Sequence, residues 1–200
     1  MDKFLDLEKQ RRTHYALGQN VTLSDEELTE LVNQAVKHAP TAFNNQTVRA
    51  VLVLGDKQDK LWALTAERLR SEVPDEAAYQ STVKKLQSFG AAYGTVLFYT
   101  DSDVVEEFEE TFPLYAANFY DWSEQGQGIA QMATWLSLTE AGLGANLQHY
   151  NPLIDELVAA EFDIPAHWRL RAQMNFGSIE GEANPNKTFN EDHDRIRVVK

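Results

Sequence analysis

From Gln125 to Thr139 the chain carries no charged residue. Ile129, Met132, Ala133, Trp135, Leu136 and Leu138 in this run fall on every side of a helix. Such a helix has to be covered all round, at the centre of a core or between two copies of the chain. The flanking helical segments already supply apolar faces enough for the core, so an interface is the expected cover. Two hundred residues suit one domain or the subunit of a dimer. With no internal repeat, low-complexity tract or dividing linker, residues 1–200 read as a single domain.

A formal net charge of −13 sets a nucleic acid or an anionic membrane surface aside as partner. No apolar run reaches the roughly 18 residues of a membrane span. The start, Met1 to Asp6, lacks the basic and apolar regions of a signal peptide, which makes the cytoplasm the expected location. The absence of cysteine removes disulfides and thiol chemistry, so any redox function would need a cofactor to carry electrons.

Residues 2 to about 12 read as a helix with a basic end. Ser24 and Glu27 form a capping box, and Leu28, Leu31, Val32, Ala35, Val36 and Ala39 follow at helical spacing until Pro40 stops the helix. Val48 to Leu54 and Thr95 to Thr100 read as buried strands. Lys57 to about Arg70 reads as a helix, and Pro74 and Pro152 each open another. Leu170, Ala172, Met174 and Phe176 alternate with Arg171, Gln173 and Asn175, the period of a half-exposed strand. The tail from Arg195 to Lys200 has strand character and little chain left to pair with, so it suits the sheet edge of a second copy.

Nucleophilic and metal chemistry find little support. No serine sits in a nucleophile elbow, and the histidines lack ligand spacing; Asp192-His193-Asp194 reads as a solvated turn. Four stretches stand out instead. Arg11-Arg12-Thr13 is either a helix end stabilised through its dipole or a clamp for a phosphate monoester. Ala39 to Gln46 is an amide-rich loop between helix and strand, beyond what a plain connector needs. Gly142 to Asn151 has glycines but follows a helix and carries Leu147 where a dinucleotide fingerprint needs a third, so that motif fails. Asn186-Lys187-Thr188 lies in a loop near the end. Residues 102–122 mix acids with aromatics, and read as a satellite apolar cluster or a lid over a flat ligand.

In this order, across essentially the whole chain, Arg11-Arg12-Thr13, Pro40 to Gln46, Gly144 to Pro152 and Asn186-Lys187-Thr188 resemble the nitroreductase family. The compact branch of bacterial stress-induced nitroreductases and their small fungal relatives is the most similar part of it. The resemblance implies an α+β fold with a central antiparallel sheet flanked by helices, in an intertwined homodimer with an exchanged C-terminal strand. It implies two flavin mononucleotide (FMN) sites at the subunit interface.

On that resemblance, Arg11, Arg12, Thr13 and Lys187 match phosphate and ribityl contacts. Pro40, Thr41, Ala42, Asn44 and Gln46 match the segment packed on the flavin from the other subunit. Leu147, Gln148 and His149 match the stretch whose backbone N–H groups, those of Gln148 and His149, face flavin N5 and O4. Lys85 is placed near flavin N1 and C2=O, and Tyr120 and Trp122 in the substrate lid. Tyr15 stands among the cofactor positions where the family usually carries a basic residue. Phe189 replaces an arginine, and Thr47-Val48 replaces Pro-Trp, so phosphate binding leans on Arg11, Arg12 and Lys187.

The implied activity is NAD(P)H-dependent reduction of small nitroaromatic or quinone-type acceptors, by ping-pong hydride transfer through flavin N5 without a side-chain acid or base. The alternatives are a flavin-binding regulatory or storage protein with little turnover, and an acidic interaction domain without cofactor.

Overall fold

The computed structural model describes residues 2–200. Its helices are α1 (Asp2–Gln10), α2 (Asp25–Lys37), α3 (Asp56–Leu69), α4 (Glu76–Gly90), α5 (Ser102–Thr111), α6 (Ala116–Glu140), α7 (Asp155–Phe162) and α8 (Asp192–Arg195). Its strands are β1 (Leu17–Gly18), β2 (Val48–Leu54), β3 (Gly94–Asp101), β4 (Gly144–Gln148) and β5 (Trp168–Ile179). The strands form one antiparallel sheet in the order β1-β5-β3-β2, with β4 also paired to β5. The expected α+β architecture, an antiparallel sheet flanked by helices, is what the chain adopts.

Strand periodicity assigns the two faces. Val96, Phe98, Ala172, Met174 and Phe176 meet Leu28 and Val32 of α2 and Ala130 and Leu138 of α6. Leu97, Tyr99 and Leu170 meet Leu61 and Trp62 of α3, Leu86 and Phe89 of α4, and Ile154 and Val158. Helices α2 and α6 thus cover one side of the sheet, and α3, α4 and α7 the other.

The capping box of α2 is present, with Ser24 accepting from Glu27 N and Glu27 accepting from Ser24 N at 2.8 Å. Other expectations need correction. Pro74 precedes the cap rather than opening the helix, because the Asp75 side chain accepts from Ala78 N at 2.8 Å and starts α4. Pro152 follows a cis peptide and lies in a turn, with α7 beginning at Asp155. Strand β2 is half-covered, since it forms a sheet edge.

Strand β5 is not half-exposed. It runs between β3 and β4, and most of its polar face is covered: Gln173 and Asn175 have no accessible surface, and Arg171 is partly buried. Periodicity reports which side a residue faces, and the tertiary fold decides whether that side is covered. The tail forms no strand; Asp192–Arg195 is a short helix and residues 196–200 lie exposed beyond it.

Candidate functional site

The loop after α2 is built against backbone preference. Phe43, Asn44 and Gln46 have φ of 55°, 54° and 51°, the left-handed region that side chains disfavour. Backbone strain of this kind costs on the order of 1–3 kcal/mol per residue and needs the surroundings to impose it. Here Gln46 N donates to Thr41 Oγ1 (2.9 Å), Asn44 N to Thr41 O (3.0 Å) and Arg49 Nη1 to Gln46 O (2.6 Å). The Phe43 ring is gripped by aromatic side chains, with centroids 4.9 Å from Phe112, 5.5 Å from Phe119 and 5.9 Å from a stacked Trp122.

Between this loop and α6 lies a cleft of about 410 Å³, lined by Pro40, Thr41, Ala42, Phe43, Trp122 and Ile129 among others. The structure therefore brings Trp122 to the loop. It turns Tyr120 away, where the hydroxyl accepts from Arg169 Nη1. Residues 102–122 form the satellite cluster, with Phe43 at its centre. A larger open groove of about 630 Å³ runs between α2 and α6, but Glu27 and Glu140 line it, a poor setting for a phosphate.

The second group forms around β4. Thr13 bridges Ala145, with His14 N donating to Ala145 O at 3.0 Å. Ala145 therefore turns its backbone polar groups away from β5. By the alternation of an antiparallel ladder Leu147 turns the same way, while Gln148 pairs inward with Gln173. Of the two expected N–H donors, the register returns Gln148 to the ladder and leaves His149 just beyond the strand; the N–H it directs outward is instead that of Leu147.

Arg12 donates to Asn184 O and His14 Nδ1 to Gly181 O (3.2 Å), which ties the loop carrying Lys187 to the Arg11–Thr13 segment. The Lys187 ammonium sits 5.0 Å from the Phe189 ring centroid. The Arg11 guanidinium lies 4.7 Å over the Trp135 ring. Among the described residues neither Arg11, Arg12 nor Lys187 has a carboxylate partner within salt-bridge distance. In a chain of net charge −13, these two adjacent arginines form a local cationic segment. Tyr15 is exposed next to it.

Lys85 does not join either group. It lies exposed on α4, across the sheet from α6, with its ammonium over Phe89 at 5.7 Å. Nor do the two groups face one another within one protomer. Gly126, whose Cα faces the Thr41 side chain, and Trp135, under Arg11, are nine residues apart on α6. That is about two and a half turns, which puts them on opposite flanks of the helix. Between the flanks Gln125, Gly128 and Ile129 are exposed.

Sequence reasoning alone misses Asn146, the strained Phe43 and Arg49. One signal for Asn146 is there: Asn146 and Gln148 alternate with apolar residues, as do Gln173 and Asn175, which marks two strands with matching amide faces.

Comparison with known proteins gives a consistent picture. The family model described as "Nitroreductase family" matches residues 9–178. Nitroreductase FRM2 of Saccharomyces cerevisiae is 36% identical over 179 residues, 87% of this chain and 86% of that protein. The structure of nitroreductase CinD from Lactococcus lactis in complex with nicotinic acid superposes with a TM-score of 0.91 at 50% identity, covering 99% of this chain and 100% of that one. Structures of CinD with chloramphenicol and with 4-nitrophenol superpose with a TM-score of 0.90 each. A nitroreductase with bound FMN from Desulfitobacterium hafniense shares the fold, with a TM-score of 0.72 at 20% identity over 100% of both chains.

Proposed function

The chain belongs to the nitroreductase family, and from that premise we propose an FMN-dependent oxidoreductase that reduces nitroaromatic or quinone-type acceptors at the expense of NAD(P)H. One observation carries the reading: Arg11 and Arg12, without a carboxylate partner among the described residues, stand beside Thr13, which bridges the edge of β4 away from β5. The donor set fits a flavin monophosphate, since it joins two guanidinium forks and a hydroxyl to an outward backbone N–H a few residues along the neighbouring strand. Structural relatives that hold FMN or small aromatic molecules support the same choice.

FMN, when bound, supplies two-electron hydride chemistry that no side chain of this cysteine-free chain offers. Arg11, Arg12 and Thr13, with Lys187, hold the phosphate. The outward Leu147 N–H would be the backbone donor available to the polar edge of the ring system, where it would favour added electron density. Pro40, Thr41, Ala42, Asn44 and Gln46 border the ring, and Trp122 covers the acceptor and excludes water. No side chain has to move a proton in the central step, so alternating occupancy by reductant and acceptor is the proposed kinetic scheme.

The partner subunit completes the site. Within one protomer the cation segment and the strained loop sit on opposite flanks of α6, so a homodimer packed on the uncharged outer face of that helix is the assembly that supplies both.

The test is spectroscopic. Protein reconstituted with FMN is mixed with NADH or NADPH while absorbance is followed near 450 nm, about where flavins absorb. Bleaching that reverses on adding a nitroaromatic is expected. Bound flavin that neither nucleotide bleaches would make the protein a binder, and no uptake of FMN would defeat the cofactor altogether.

A further inference from the structure

Resting on the FMN reading above, we propose that Asn146 is a positioning residue: its buried amide fixes the distance between the cation segment Arg11–Thr13 and the outward N–H of Leu147. Asn146 has no accessible surface. Its Nδ2 donates to His14 O (2.9 Å), and its Oδ1 accepts from Asn175 Nδ2 (2.9 Å) and Gln148 Nε2 (2.9 Å). Both lone pairs of the oxygen are used. One side chain thus joins the segment beside Thr13, the candidate donor strand β4 and the central strand β5.

The tie does not end there. Asn175 Oδ1 lies 2.8 Å from Thr95 Oγ1, which lies 2.7 Å from Gln58 Oε1 and accepts from Trp62 Nε1 at 3.2 Å. Gln58 Nε2 in turn donates to Phe89 O at 3.0 Å, at the end of α4. A run of buried polar side chains therefore anchors Asn146 to the helices on the far side of the sheet. Burying amides carries a desolvation penalty that only complete bonding offsets. A leucine of similar volume would fill the space without that penalty; what it could not do is hold three backbone segments at one spacing. His14 is gripped from both sides, its N–H by Ala145 O and its carbonyl by Asn146. That grip falls one residue from Thr13, and Leu147 is the next residue after Asn146.

The test compares wild type with Asn146→Leu and with Asn146→Thr, a β-branched residue suited to a strand should the leucine variant not fold. In the apo protein, amide exchange at His14 should speed up by about tenfold or more while Leu61 and Leu86, in the helices across the sheet, keep their protection. With FMN, the dissociation constant should rise by about tenfold, the size of one buried hydrogen bond removed. The ratio of affinities for oxidised and reduced flavin should change too; a tenfold change moves the two-electron midpoint potential by about 30 mV. A purely structural role lowers the melting temperature and leaves that ratio alone. A folded variant with wild-type FMN affinity and potential overturns the proposal. Wild-type protein that takes up no FMN defeats the cofactor reading instead, and His14 exchange still decides whether Asn146 holds the segment.

Discussion

The Arg49 guanidinium lies 2.9 Å from the Asp101 carboxylate, and the same guanidinium donates to Gln46 O at 2.6 Å. Asp101 is only 8% exposed in its side chain and begins α5, the helix whose C-terminal end carries the aromatic cluster around Phe43. One ion pair therefore joins the strained loop, the sheet edge and the aromatic wall of the cleft. Arg49→Ala would take from the buried Asp101 its guanidinium partner, leaving it the Val104 N–H at 3.4 Å and the His167 ring at 3.9 Å, and would leave Gln46 O without its Arg49 donor. Because Arg49 itself is partly solvated, a loss of about 2 kcal/mol is expected, below the 3–5 kcal/mol of a fully buried pair. Urea unfolding measures it, and an unchanged midpoint would show that the pair contributes nothing.

Replacing Arg11 and Arg12 with alanine should weaken FMN binding by about 3–5 kcal/mol, the worth of two charge-assisted hydrogen-bonding groups removed together. The single variants should differ. Arg11 also stacks on Trp135, so Arg11→Ala removes packing as well as charge, whereas Arg12→Ala frees the Asn184 carbonyl and loosens the Lys187 loop. Fluorescence titration of apo protein with FMN gives the affinities. Equal affinity in the double variant would remove the clamp.

The amino-acid sequence makes the local elements legible where one signal dominates. Ser24 and Glu27 start α2, Pro40 ends its run, and β-branched residues mark β3. The motif order singles out the two segments proposed as the halves of the site. What stays hidden depends on partners distant along the chain. The positive φ of Phe43 arises because Phe112, Phe119 and Trp122 claim its ring, and no local propensity places an aromatic there. Gln173 and Asn175 read as solvated because nothing local reveals that Thr95 and Asn146 wait to bond Asn175, and the backbone of Tyr150 to bond Gln173. Lys85 is close to β3 in sequence, yet α4 carries it to the other side of the sheet.

Burial, partly offset by Arg171 and Arg169, holds the Asp155 carboxyl above its ordinary range near 3.8. Its Oδ1 has no hydrogen-bond partner. The protonated acid is the form the fold prefers, so its contribution is complete below the unfolded value and is lost as pH rises through the raised one. Asp155→Asn, which stays neutral, should therefore match wild type in acid, where the carboxyl is protonated, and exceed it at neutral pH. Thermal unfolding across that range checks the sign. A variant less stable than wild type at neutral pH would mean that the arginines outweigh burial.

Ile129 on the outer face of α6 is 43% exposed, and Ile196, Val198 and Val199 in the tail are 70%, 71% and 86% exposed. Apolar groups this open on one protomer gain most from a second copy, where burying each large side chain contributes about 1.5–3 kcal/mol before ordering costs. The two surfaces make separate contributions, so they can be separated. Ile129→Glu places a charge in the centre of the uncharged helix face and should dissociate the dimer outright. Removing the residues after Asp194 takes away the segment proposed to cross to the partner but not that face, so dimers should persist at high concentration and dissociate on dilution at a higher protein concentration than wild type. Sedimentation of both variants with and without FMN distinguishes the cases. A truncated chain that remains as tight a dimer as the full one would refute strand exchange, and a tight dimer of Ile129→Glu would move the interface off α6 and with it the second half of the FMN site.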